Sequence, residues 1–173
     1  MGVLDSILAD KRQEISRLRA AVPQAALEAT CRRLPPAREF EASLRLNPNY
    51  ADAHNNFGTL LLSQGRLPES IAHFEQAVRL RPDSARAHAN LGTALASAGR
   101  LDAAVAEFRE AVRLEPGSAE NRELLGAALA QTGRLDEAIA EFQHALAIDP
   151  GSATARKELD VALGARTGRP ARR

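Results

Sequence analysis

Residues 48–81 read PNYADAHNNFGTLLLSQGRLPESIAHFEQAVRLR, residues 82–115 read PDSARAHANLGTALASAGRLDAAVAEFREAVRLE, and residues 116–149 read PGSAENRELLGAALAQTGRLDEAIAEFQHALAID. Set under one another, the three 34-residue lines share a register at many positions. Pro48, Pro82 and Pro116 open them, and Pro150 stands one period further on. Gly58, Gly92 and Gly126 form one column; Gly65, Gly99 and Gly133 form another, each followed by Arg and Leu. Phe74, Phe108 and Phe142 recur late, with Ala77, Ala111 and Ala145 three residues on. A period of this length marks units that stack on like units.

Within a unit the apolar spacing is helical. Phe57, Leu60 and Leu61 share a face in the first line, Leu91, Ala94 and Leu95 in the second, and Leu125, Ala128 and Leu129 in the third. First helices are expected over 51–64, 85–98 and 119–132, stopped by Gly65, Gly99 and Gly133 in a left-handed conformation that a side chain disfavours. Second helices are expected to start at Pro68, Asp102 and Asp136, with proline suited to a first position and aspartate to an N-cap. Their buried faces are Ile71, Phe74, Ala77 and Val78, then Val105, Phe108, Ala111 and Val112, then Ile139, Phe142, Ala145 and Leu146. Pro82, Pro116 and Pro150 end these helices, and Ser84, Ser118 and Ser152 are placed to cap the next. Each unit is an antiparallel helix pair. Gly58, Gly92 and Gly126 stand inside a helix, where glycine costs about 1 kcal/mol against alanine, so the repeated cost implies a close helix crossing.

This pattern resembles the tetratricopeptide repeat (TPR) family. The resemblance implies an all-α fold, a right-handed TPR solenoid of antiparallel helix pairs, here with extra N-terminal helices and a C-terminal capping helix. It places Ala104, Ala138 and Ser70 opposite the crossing glycines. It also implies a concave groove lined by the first helices, whose ligand-facing positions map to Asp52, Asn55, Asn56, Thr59, Leu62 and Ser63, to Arg86, Ala89, Asn90, Thr93, Ala96 and Ser97, and to Glu120, Glu123, Leu124, Ala127, Ala130 and Gln131. The expected peptide-binding set is their polar part: Asp52, Asn55, Asn56, Thr59, Ser63, Arg86, Asn90, Thr93, Ser97, Glu120, Glu123 and Gln131. Asn56 and Asn90 match the asparagine ladder of glycosyltransferase-like TPRs, and Leu124 interrupts it. Clamping of a C-terminal carboxylate is not expected, since only Arg86 is available and Asp52, Glu120 and Glu123 oppose it.

Outward from the repeats, Leu4, Ile7, Leu8, Ile15 and Leu18 form a stripe over residues 3–20 among basic and acidic residues, an amphipathic helix. Pro23 starts a second, ending at Pro35 and Pro36. The run Val-Leu-Asp-Ser-Ile-Leu-Ala-Asp-Lys-Arg-Gln-Glu-Ile at 3–15, with Val22-Pro23, Leu27-Glu28 and 34–40 Leu-Pro-Pro-Ala-Arg-Glu-Phe, resembles the N-terminal extension of indole-3-glycerol-phosphate synthase. In that family the extension precedes a (β/α)₈ barrel carrying the catalytic lysines and glutamates at its strand ends. After Arg45 there is no strand pattern, and no catalytic residue is carried over. Phe40, Ser43, Leu46 and Pro48 fall one period before Phe74, Ala77, Leu80 and Pro82, so a partial repeat is expected. The expected organisation is N-terminal helices at 1–36, the partial repeat at 37–50, repeats at 51–84, 85–118 and 119–152, a capping helix at 153–165, and a disordered basic tail at 166–173.

Twenty-three basic and 22 acidic residues leave a net charge of +1, so no global field draws the chain to nucleic acid or anionic lipid. Cys31 is the one cysteine, excluding an intrachain disulfide, and no apolar run reaches membrane-span length. His54, His73, His88 and His144 include no pair at the i, i+4 spacing of a helical zinc site. No metal, cofactor or enzymatic activity is expected. The expected function is a cytoplasmic, bacterial protein-interaction scaffold binding an extended partner peptide in the groove. Two alternatives stand beside it: a structural module self-associating through its N-terminal helices or repeat edges, and a non-catalytic remnant of the synthase.

Overall fold

The computed structural model describes Phe40 and residues 43–167. The expected N-terminal helices, Cys31, the start of the partial repeat and residues 168–173 lie outside the described residues, as does most of the synthase-like stretch. Among the described residues every regular element is helical: a turn at 43–46, then α1 (Ala51–Ser63), α2 (Leu67–Leu80), α3 (Ala85–Ser97), α4 (Leu101–Leu114), α5 (Ala119–Gln131), α6 (Leu135–Ile148) and α7 (Ala153–Thr167). α1 pairs with α2, α3 with α4 and α5 with α6, and each second helix packs on the first helix of the next unit. The result is a TPR-like helical solenoid.

The reversal inside each pair takes very little chain. After α3 the C-cap is Ala98, and Gly99 follows at φ +75°, with Gly65 and Gly133 alike. Arg100 N donates to Leu95 O at 2.9 Å and Gly99 N to Ala96 O at 3.0 Å, the paired closure that satisfies the last carbonyls of a helix. Arg100 is also the N-cap of α4, its carbonyl accepting from Ala104 N at 3.0 Å. One arginine thus ends one helix and begins the next. This corrects the expected start of the second helices. The N-cap is Arg66, Arg100 or Arg134 with no side-chain cap bond, and Asp102 and Asp136 stand in the first turn. There they still complement the positive end of the helix dipole.

The reversal between units is set by proline and serine. Arg81, Glu115 and Asp149 each precede a proline and each leave the helical region, at φ −140°, −128° and −121°. Ser84 Oγ then accepts from Ala87 N at 3.3 Å, Ser118 Oγ from Asn121 N at 3.2 Å and Ser152 Oγ from Ala155 N at 3.0 Å. In the first unit Tyr50 holds this place and makes no side-chain cap bond.

A Cβ built on Gly58, Gly92 or Gly126 would lie 2.8, 2.7 or 2.7 Å from the ring of Phe74, Phe108 or Phe142. The crossing glycine therefore admits the phenylalanine of its own unit as well as the small residue opposite. Ser70 adds a bond there, its Oγ donating to Gly58 O at 2.9 Å while fully buried. The three phenylalanines, with Val105, Ile139, Leu91, Leu95, Leu125 and Leu129, belong to one buried cluster running through all the units to Ala162 of α7. Burying each such side chain is worth roughly 1.5–3 kcal/mol.

At the front, Ser43 is buried and Phe40 stacks on Phe57, ring centroids 6.0 Å apart. At the back, Ala155 and Ala162 of α7 are buried and Leu159 and Leu163 pack against the cluster, while Asp160, in the glycine column, is exposed. α7 runs to Thr167, past the expected boundary at 165. Arg166, expected in a disordered tail, is helical and pairs with Asp136 at 3.3 Å, because its guanidinium reaches the first turn of α6.

Candidate functional site

α1, α3, α5 and α7 lie side by side, each touching the next. α1, α3 and α5 carry the expected ligand-facing positions, and the structure sorts the twelve polar ones into two groups.

The first group is tied to neighbouring helices. Asp52 on α1 takes Arg81, the C-cap of α2, in two bonds of 2.9 and 3.1 Å, and Arg86 of α3 lies 3.4 Å from the same carboxylate. Asn55 is buried, and its Oδ1 accepts from Asn90 Nδ2 at 2.9 Å, bridging α1 to α3. Glu123 accepts from Ser152 Oγ at 2.6 Å, bridging α5 to the start of α7. Asp52, Asn55, Asn90 and Glu123 thus join one unit to the next.

The second group faces outward. Asn56, Thr59, Ser63, Arg86, Ser97, Glu120 and Gln131 are exposed and Thr93 is half-buried. Thr59 and Thr93 each donate to the carbonyl four residues back, at 3.0 and 2.9 Å. Ser97 donates to Thr93 O at 2.9 Å and Ser63 to Leu60 O at 2.7 Å. With their protons so committed, these hydroxyls present lone pairs outward and act as acceptors.

A further column lies outside the expected groove set. His54, His88, Arg122 and Arg156 recur every 34 residues, and each contacts the carbonyl of the proline six residues before it: Pro48 at 3.0 Å, Pro82 at 3.0 Å, Pro116 at 3.2 Å and Pro150 at 2.7 Å. Three of them also reach the second helix of their unit. Arg122 Nη1 donates to Glu141 at 2.9 Å, His88 Nδ1 meets Glu107 at 2.7 Å, and His54 Nδ1 meets His73 Nδ1 at 2.9 Å. The signal that could have found this column is its shared register of donor-capable side chains.

Among the described residues no group of three or more His, Cys, Asp or Glu side chains is placed to hold a metal ion. The His54 and His73 rings have centroids 5.2 Å apart, so their nitrogens meet nearly head-on. Two nitrogens so aimed would have to stand roughly 4 Å apart to admit an ion bound at about 2.0–2.1 Å. Nor is any helix of the described residues long and apolar enough to cross a membrane. On the second helices, hydrogen bonds from Arg113 and Arg134 hold Glu110 and Glu137 below the usual carboxylate range, and Arg66 does the same for Glu69. These exposed pairs contribute little to stability.

Several solved structures share the fold. A crystal structure of MamA superimposes with a TM-score of 0.73 at 23% identity, covering 76% of this chain and 77% of that one. A MamA RS-1 double mutant gives 0.71 at 20% identity over 91% and 85%. The first TPR of Spaghetti (RPAP3), bound to the HSP90 peptide SRMEEVD, gives 0.66 at 21% identity over 68% and 93%. No curated protein sequence matches. Two family profiles, both described as tetratricopeptide repeat, match residues 37–85 and 55–119 in one case and 95–159 in the other. Repeats of this kind generally serve protein–protein interaction and are typically non-catalytic, and this chain belongs to the tetratricopeptide repeat family.

Proposed function

We propose that the chain is a cytoplasmic interaction scaffold that holds an extended segment of a partner protein along the groove of its first helices. The observation that carries this reading is the outward group itself. Asn56, Thr59 and Ser63, then Arg86 and Ser97, then Glu120 and Gln131 stand exposed on the first helices of three successive units, α1, α3 and α5. Small side chains let a backbone approach, and hydroxyl acceptors match its N–H groups. A relative of the same fold is solved with a peptide bound, which supports this use of the fold. The partner's chemistry differs from that acidic peptide in this proposal, since Asp52 already engages Arg86, the exposed cation of the groove set.

The test is capture from the host lysate, followed by mapping of the bound segment and titration of that peptide by fluorescence anisotropy. Thr93→Arg/Arg86→Glu should weaken binding tenfold or more with helicity unchanged. Equal affinity of both proteins for the mapped peptide would refute the groove.

A second reading, self-association through the ends, rests on Leu46, 51% exposed before α1, and Val161, 43% exposed on α7. Light scattering over a concentration series separates it from the first.

A further inference from the structure

The column that ties each unit to the preceding proline is built differently in the first unit. Repeat three places an arginine against a carboxylate, Arg122 with Glu141, and repeat two a histidine against a carboxylate, His88 with Glu107. Repeat one places His54 against His73, which stands where Glu107 and Glu141 stand in the register.

The protons of this pair are set by its partners. A carbonyl only accepts, so the His54 Nε2 facing Pro48 O carries a hydrogen. In the neutral ring its Nδ1 is then an acceptor, and the bond across 2.9 Å requires His73 to donate from Nδ1. The neutral pair holds one proton between the two Nδ1 atoms. A first added proton has a place on His73 Nε2, which leaves the bond intact. A second can go only to His54 Nδ1, where two N–H groups on two cations would face each other.

The pair is also wired to the front of the molecule. His54 holds the Pro48 carbonyl, Phe57 meets the His73 ring edge-on at 4.7 Å, and Phe40 stacks on Phe57. We infer that the His54–His73 pair is an acid-sensitive latch, which releases the segment ahead of α1, Phe40 and residues 43–50, from the first repeat when both imidazoles are protonated. The carboxylates of Glu107 and Glu141 keep the other two units closed under the same conditions.

Among the described residues, the charges around His73 are those of its own helix, Glu69 one turn back and the Arg66 that bonds it. α1 adds His54 and the apolar Phe57, and the leading segment adds a carbonyl and Phe40. Burial and then His54 lower the pKa of His73, with Glu69 opposing more weakly. A histidine held below its unfolded value, about 6.5, contributes stability present above that pH and lost as pH falls. This loss adds to that caused by the second proton, the one that breaks the bond.

For each proton that the closed pair refuses and the open pair accepts, the opening constant rises about tenfold between pH 7.5 and 5.5. Hydrogen exchange of the full chain, corrected for the intrinsic pH dependence, reads this directly. Protection at residues 43–57 should fall about tenfold or more from pH 7.5 to 5.5, while residues 119–148 change less than twofold. His73→Glu, which installs the residue of the other repeats, and His54→Arg/His73→Glu, which installs the whole third-repeat pair, should both abolish the fall. Constant protection in the wild type, a parallel fall in both regions, or a fall that survives in both variants would overturn the inference.

Discussion

At Gly92 a single hydrogen stands where any other residue would set a carbon 2.7 Å from Phe108 Cε1. Two effects oppose each other there. Alanine gains about 1 kcal/mol of helix propensity over glycine, and overpacking a filled site costs roughly 1–3 kcal/mol. Phe108 is 2% exposed and cannot swing away, so the second effect wins. Gly92→Ala should lower the urea midpoint despite improving the helix. Gly99→Ala should also destabilise, by about 1–2 kcal/mol through its φ of +75° alone, since nothing lies near its Cβ position. Gly117→Ala, with open space and no left-handed backbone, should stay within about 0.5 kcal/mol of the parent. The period marks Gly58, Gly92 and Gly126 as crossing points, but that the phenylalanine of the second helix fills the gap depends on how that helix leans.

At the scale of the helix, Ser118 and Ser152 are legible as N-caps from their place after proline and before the apolar run, and both cap as expected. They differ in what else they hold. Ser118→Ala should cost about 1 kcal/mol. Ser152→Ala should cost more in the same denaturation assay, because its hydroxyl also donates to Glu123 and joins α5 to α7. The second helices depart from the local expectation. Aspartate is the better N-cap considered locally, yet the paired closure after Gly99 leaves Arg100 as the residue that is half in both helices. Backbone geometry there outweighs side-chain preference.

Over the whole molecule, one apolar cluster runs through all three repeats and finishes on α7, so each unit's stability depends on its neighbour. A chain ending at residue 152 would uncover the faces of α5 and α6 that Leu159, Ala162 and Leu163 now meet. It should melt at lower temperature by circular dichroism, with exchange protection lost first in α5 and α6. The same dependence divides the groove. Position in the repeat placed all twelve residues of the expected peptide-binding set on first helices. It could not distinguish Asn56, which is exposed, from Asn55, which is buried against Asn90. Adjacent residues on a helix point about 100° apart at 3.6 residues per turn, so the stacking angle of the next unit selects which one stays free.

The sequence by itself determined the all-helical class, the three-unit period, the stops at glycine and proline, the serine caps and the buried phenylalanine column. Each of these rests on local conformation or on periodicity, which a chain carries along its length. The tertiary structure alone decided which polar residues are spent between helices: Asp52 on Arg81, Glu123 on Ser152, His54 on His73. These partners lie 19 to 29 residues apart, and only the packing of one helix on another brings them within reach.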